Sequence, residues 1–411
     1  MGDFKEVKVI VSNVGKHHAY ETAHALEKAG LLRKIYTSFY DKAQLGQFQK
    51  LIKRFIPTSL LKKISNRKHP SLNEAHVVSY FFPELIYRIP PFVKLFGRYQ
   101  IMNLVSDLFD RRVAFQLQEC SVFHGFESCV EHTMKRAKSL GAITVLDQPI
   151  FHHMTIREIL TEEYAAYGLQ PPIYARKDDW NIRRKRREIS LADYLFVPTE
   201  FIKADFARRG FDASKIFVIP YGFNPKRFQQ QPNTDNTFRV ICVGIIGFRK
   251  GMLYLLEAFK KLNLPNAELL LVSPIDEEFK PVLAKYEGHF RHIHSIPNEK
   301  LSEYYANSTV FCLPSLIEGS ALVTYEAMGS GLPLIVTPNT GSVMRDGQDG
   351  FQVPIRSVES LMEKIEFFYQ NPLRAKEMGQ SAYQYIQSFT WERYHERVQE
   401  AYQQIIKREN L

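Results

Sequence analysis

Cysteine is scarce in this chain. Cys120, Cys129, Cys242 and Cys312 are the only four in 411 residues, and their scatter offers neither a metal-ligand spacing nor a disulfide framework. No apolar run approaches the ~20 residues needed to cross a bilayer. The opening Met1-Gly2-Asp3-Phe4-Lys5-Glu6 leads straight into a strand. It shows no apolar signal segment and lacks the Ser or Thr that a myristoylation site wants. No Asp-x-Asp segment follows a strand, so nothing points to a magnesium-dependent site. Internal repeats are absent. These absences predict a cytosolic protein with no cofactor and no bound metal. What is present fits a soluble globular protein, with 45% hydrophobic and 24% charged residues. The length suggests two domains.

Strands alternate with helices along the chain, the mark of parallel sheets covered on both faces. Val7–Val11, Ile35–Phe39, Cys120–His124, Ala142–Leu146 and Tyr194–Pro198 read as strands, with helices at 19–30, 128–140 and 177–192 between them. Pro220-Tyr221-Gly222 and the Gln/Asn/Pro-rich stretch 229–237 punctuate the pattern. A second alternating series begins at Phe238. The predicted organisation is a domain over 1–222, a second over 223–386, and an amphipathic terminal helix within 387–411. Each domain is α/β and doubly wound, and ligands of such sheets bind at the carboxyl ends of the strands.

The richest stretch is Glu318-Gly-Ser-Ala-Leu-Val-Thr-Tyr-Glu326-Ala-Met-Gly-Ser-Gly-Leu-Pro333. It follows the apolar run Val310–Pro314, read as a buried strand. Ser320 reads as the N-cap of a short helix, and Gly329 with Gly331-Leu332-Pro333 as its stop. The amides of Ala321, Leu322 and Val323, following Gly319, then lack intrahelical partners and form a seat for phosphate. Glu326 lies about 9 Å further along the axis, at the reach of a ribose. Glu318 sits where a sugar on the diphosphate would project. A second group, Gly244-Ile-Ile-Gly247-Phe-Arg249-Lys250-Gly251, follows a strand and opens a helix. Its glycines admit a ligand to the backbone, and Arg249 with Lys250 would neutralise a diphosphate.

Over residues 185–395 the chain resembles the family 4 retaining glycosyltransferases of the two-Rossmann-domain, GT-B type, known as glycosyl transferases group 1. The resemblance rests on Ala192–Phe201, Ile219–Asn224, Val243-Gly244, Arg249-Lys250-Gly251, Glu318–Pro333 and Asp346–Phe351. It implies two Rossmann-like domains facing an interdomain cleft, the donor held by the second and the acceptor by the first, with the terminal helix crossing back. It also implies retention of configuration without a metal. Ile245 departs from the arginine common at its position, and Arg249 is a substitute for it.

The first half is less explicit. Gly15-Lys16-His17-His18 lies in the first strand–helix loop, where the family has a Gly-rich loop near the acceptor. His124 ends one strand and Asp147 the next. Many relatives carry a histidine at Asp147, so the acceptor-activating group is Asp147, or His152 and His153 just beyond, with His124 a further candidate.

Basic residues exceed acidic ones by ten. Residues 42–68 hold eight Lys or Arg and no acid, interleaved with Leu51, Phe55 and Leu61, which suits an anionic membrane surface. A second basic cluster spans 183–187. No nucleic-acid motif accompanies either, and no nucleic-acid partner is expected. The expected partners are a nucleotide sugar and a glycan or lipid-linked acceptor, with the protein peripheral on the inner face of the cytoplasmic membrane. The rival expectations are another GT-B enzyme, such as a sugar-nucleotide epimerase, and a non-catalytic binding subunit.

Overall fold

The computed structural model describes residues 7–15, 18–41, 67–80, 95–176, 179–228, 230, 237–297 and 300–411. Lys16, His17 and positions 42–66 of the basic stretch lie outside the described residues.

Two parallel sheets organise the chain. The first contains β1 (Val9–Ser12), β2 (Leu32–Thr37), β3 (Val77–Ser79), β4 (Val122–Phe126), β5 (Ile143–Asp147), β6 (Tyr194–Val197) and β7 (Ile216–Val218), in the order β3-β2-β1-β4-β5-β6-β7. The second contains β8 (Phe238–Val243), β9 (Ala267–Val272), β10 (Arg291–Ile293), β11 (Val310–Leu313), β12 (Leu334–Val336) and β13 (Gly350–Gln352), in the order β10-β9-β8-β11-β12-β13. β1, β4 and β11 are buried along their whole length, as strands covered on both faces must be. In both sheets the strand order reverses beside the domain's first strand, at β1/β4 and at β8/β11. Loops leaving those strands part to opposite faces and open a crevice at the carboxyl ends. This is the GT-B arrangement.

The helices are α1 (Ala19–Lys28), α2 (Arg98–Gln116), α3 (Glu131–Ser139), α4 (His153–Ala165), α5 (Trp180–Leu191), α6 (Glu200–Arg208), α7 (Met252–Leu262), α8 (Lys280–Leu283), α9 (Leu301–Ala306), α10 (Leu322–Gly329), α11 (Val358–Gln370), α12 (Pro372–Ile386) and α13 (Trp391–Glu409). No described helix is long and apolar enough to cross a membrane.

Helix α13, capped by the Thr390 hydroxyl, lies against α1 of the first domain. Tyr394 and Thr22 share a hydroxyl hydrogen bond of 2.7 Å, and Gln399 donates to the Ala25 carbonyl at 2.9 Å.

The basic cluster on α5 is split: Arg183 and Arg186 are exposed, while Arg184, Lys185 and Arg187 pair with acids. Asp179 caps the helix through the Asn181 and Ile182 amides. Arg184 is fully buried between Asp110 and Glu188, and Arg187 forks onto Glu131. Burial raises Glu188 to about 7 despite Arg184. These pairs lock α5 to α2 and α3.

Candidate functional site

The two crevices face each other and enclose two adjoining cavities of about 610 and 590 Å³. The first has a wall of Val243, Gly244, Lys250 and residues 318–323. The second reaches into the first domain, past Asn13, Tyr99, His153, Tyr174 and Lys185. His18, Glu127, Pro149, Ile150 and Lys250 line both.

On the second-domain wall, a tight turn at Phe248–Lys250 ends at Gly251, whose φ of +67° and contact with the Pro314 carbonyl leave no room for a Cβ. The turn is stitched to the loop after β11. The amides of Leu316 and Ile317 donate to the Arg249 carbonyl at 2.9 and 3.3 Å. Lys250 is buried and paired with Glu318, and Arg249 reaches the same carboxylate oxygen at 3.2 Å. Burial pushes Glu318 upward, but Lys250 and Arg249 outweigh it and hold the carboxyl below its ordinary value. Burial also pulls Lys250 below an ordinary lysine, even beside Glu318.

Helix α10 starts differently from expectation. Its N-cap is Ala321, without a side-chain cap, because the Ser320 hydroxyl is taken by the Tyr325 hydroxyl at 3.1 Å. The Ala321 amide is also taken, by the Thr340 carbonyl at 3.2 Å. Leu322 and Val323, whose amides have no partner among the described residues, therefore form the helix end that lines the cavity. Gly319 sits so close to the Pro149 carbonyl that a Cβ there would lie 1.5 Å from its oxygen. Gly247 faces Asp276 and lines neither cavity, and Arg249 lines the first-domain cavity, not the one beside α10. Ile245, half-exposed, lines that same cavity and adds no charge.

Glu326 stands one turn along α10, outside both linings, where the Tyr305 hydroxyl donates to it at 3.4 Å. Burial raises it to about 7, against the pull of Arg227 and Tyr305.

Among the acceptor-side candidates, the Gly15 amide bonds Asn13 Oδ1 at 3.4 Å, closing the loop after β1. His153 lines the first-domain cavity, and burial, with His152 adjacent, lowers it to about 3, so the ring is neutral. His152 caps α4 through the Met154 amide, and burial takes it to about 4. His124 and Asp147 are buried and line neither cavity, so neither touches a ligand there. His124 Nδ1 instead meets the Tyr402 hydroxyl of α13 at 2.8 Å. Asp147 meets His18 Nε2 at 2.9 Å, and it is His18 that reaches the cavities. The sequence placed His18 in the loop after the first strand without giving it a role, and Glu127, Asn13 and Asn181 went unnoticed. Their signal was positional: His18 and Glu127 follow the carboxyl ends of the two strands at the switch point.

Residues 223–385 match the family model of glycosyl transferases group 1. The chain is 26% identical over 256 residues to MMP alpha-(1->4)-mannosyltransferase of Mycolicibacterium hassiacum, covering 59% of this chain and 61% of that protein. To the amylovoran biosynthesis glycosyltransferase AmsD of Erwinia amylovora it is 27% identical over 203 residues, 47% of this chain and 57% of that one. The chain thus spans less than two thirds of the length of these curated relatives. Its fold is similar to sucrose-phosphate synthase of Thermosynechococcus elongatus (TM-score 0.62, 19% identity, 98% of this chain and 99% of that one). It is likewise similar to Anabaena HepE in complex with UDP and glucose (TM-score 0.61, 13% identity, 97% and 100%). The family match lies within the second domain, and the solved structures share the fold of the whole chain.

Proposed function

We propose that this protein moves a sugar from a nucleotide diphosphate sugar to a glycan or lipid-linked acceptor in polysaccharide or glycolipid synthesis, with retention and without a metal. One observation carries the reading: Lys250, Glu318 and the open amide end of α10 converge on one cavity at the switch point of the second sheet. There the diphosphate would displace Glu318 from Lys250. The lysine, Arg249 and the Leu322 and Val323 amides would then stabilise charge on the leaving group as it develops. Glu318 would turn to the sugar and Glu326 to the ribose. HepE binds UDP, and AmsD is named for polysaccharide synthesis, which supports this donor and product class.

A thermal-shift screen of UDP-, GDP- and ADP-sugars identifies the donor, and a transfer assay tests the reaction. Lys250→Ala is expected to lower turnover more than nucleotide affinity, since leaving-group charge peaks in the transition state. EDTA is expected to leave the rate intact, and activity restored only by Mg²⁺ would refute the metal-free reading.

Ile245 favours one second reading, a subunit that binds nucleotide without transfer, because the wall lacks one cation. Nucleotide binding without any donor consumption would select it.

Residues 42–68 are proposed to dock on anionic lipid, through Lys50, Lys53, Arg54, Lys62 and Lys63 and their apolar neighbours. Exposed Leu104, Leu108 and Phe115 on α2 add apolar surface to the same domain. Sedimentation with phosphatidylglycerol vesicles should show binding that fades in high salt. Equal partitioning onto neutral vesicles would count against docking.

A further inference from the structure

We propose that His18 is the residue that receives the acceptor's hydroxyl proton and that Asp147 positions it, an inference that rests on the transferase reading above. His18 lines both cavities, as Lys250 does, and so stands where donor and acceptor would meet. Its Nε2 lies 2.9 Å from Asp147 Oδ2. Burial pushes the Asp147 carboxyl upward, but His18 and His124 outweigh it and keep it below its ordinary value, so the group is a carboxylate. A carboxylate only accepts, so Nε2 carries the hydrogen and, in the neutral ring, the lone pair falls on Nδ1. Nδ1 has no protein partner among the described residues. Tyr221 and Phe126 hold the ring, with centroids 4.4 and 5.1 Å away. Behind Asp147, His124 Nε2 lies 3.8 Å from the same carboxylate oxygen, its own ring fixed by Tyr402.

The first-domain cavity fits a polyhydroxylated ligand for an independent reason. Asn13 Nδ2, Asn181 Oδ1 and both ring nitrogens of His153 are buried without a partner, and all three residues line it. Unmet donors and acceptors of this kind are costly unless something arrives to pair with them. A sugar's hydroxyls supply both kinds. Lys185 in this lining is already paired with Glu127 at 3.1 Å, and Arg249 and Lys250 are paired with Glu318, which leaves the cavity suited to a neutral acceptor.

The step balances. The acceptor oxygen bonds the anomeric carbon on the face that the diphosphate leaves, the carbon–oxygen bond to the diphosphate breaks, and its electron pair stays on the nucleoside diphosphate facing Lys250. The hydroxyl proton passes to His18 Nδ1, the imidazolium is stabilised by Asp147, and the proton leaves to water. The titratable and charged groups around His18 are Asp147 and His124 from β5 and β4, Tyr221, Tyr394 of α13, and Glu127 and Lys250 across the cavity.

The test uses the full chain, with methyl α-glucoside and water as acceptors. The donor is whichever of UDP-glucose, UDP-N-acetylglucosamine, GDP-mannose and ADP-glucose stabilises it. His18→Gln should lower kcat by roughly 10²–10⁴-fold while its nucleotide affinity by calorimetry, which also reports folding, stays that of the wild type. Asp147→Asn should lower kcat and move the acidic limb of the kcat–pH profile to lower pH, because the ring loses the anion that favours its protonation. A merely structural Asp147 would change thermal stability and leave that limb in place. Wild-type kcat in His18→Gln, a loss confined to nucleotide affinity, or an unmoved limb in Asp147→Asn overturns the proposal and leaves the transferase reading standing. Nucleotide binding with no donor consumed overturns both, and failure to bind any nucleotide removes the donor site itself.

Discussion

Glu326 shows at the scale of one residue what a buried carboxyl costs the fold. Its carboxyl is raised from 4.5 to about 7, chiefly by burial. A raised acid binds more protons folded than unfolded, so stability falls as pH climbs from about 4.5 to about 7 and stays lower above that. Glu326→Gln removes the buried charge. The variant without ligand should melt higher than wild type at pH 8, and the two should converge near pH 4. Glu326→Ala should weaken nucleotide binding by roughly 1.5–3 kcal/mol, the worth of hydrogen bonds to a charged group. Calorimetry at pH 8 checks it, and unchanged affinity would remove the ribose assignment. The pair Lys250–Glu318 is a related case, since each partner offsets the burial of the other.

At the scale of elements, much of the architecture was legible. Strands such as Val310–Leu313 are continuous apolar runs, and the glycine-bearing turns at 244–251 and 318–333 bring their chemistry together within a few residues of sequence. Boundaries slipped where tertiary contacts decide them. β2 runs over Leu32–Thr37 instead of 35–39, because its register is set by pairing with β1 and β3. Ser320 has the right chemistry for an N-cap, yet Tyr325 claims its hydroxyl and the cap falls one residue later, at Ala321. Arg184 looked like surface and is core, because its partner Asp110 lies on a helix 74 residues away in sequence. The acceptor side was hidden for the same reason. His18 and Asp147 are 129 residues apart, and His124 is fixed by a tyrosine 278 residues further on. No local pattern announces such pairs. Only the order of strands in the sheet brings them together.

At the scale of the whole molecule, the cleft depends on how closely the two domains approach. On one side Arg356 clamps α4, bonding Glu163 and Glu162 at 2.8 Å each, while the Tyr254 hydroxyl donates to Glu163 at 2.9 Å. On the other, Gly319 of the donor wall meets the backbone after β5 of the first domain. A Cβ on Gly319 would lie 1.5 Å from the Pro149 oxygen and 2.7 Å from its carbonyl carbon. The obstacle is main chain and cannot swing aside as a flexible side chain would. Gly319→Ala should therefore hold the domains apart while leaving each sheet and its core intact. Nucleotide affinity, which draws on the second domain, should largely persist. Turnover should fall, because positioning the two reactants across the cleft supplies much of the rate and a misplacement of about 1 Å can cost about 10²-fold. Small-angle scattering should show a larger radius of gyration than wild type, with melting temperature little changed. A variant with wild-type scattering and wild-type turnover would show that Gly319 is not what lets the cleft close.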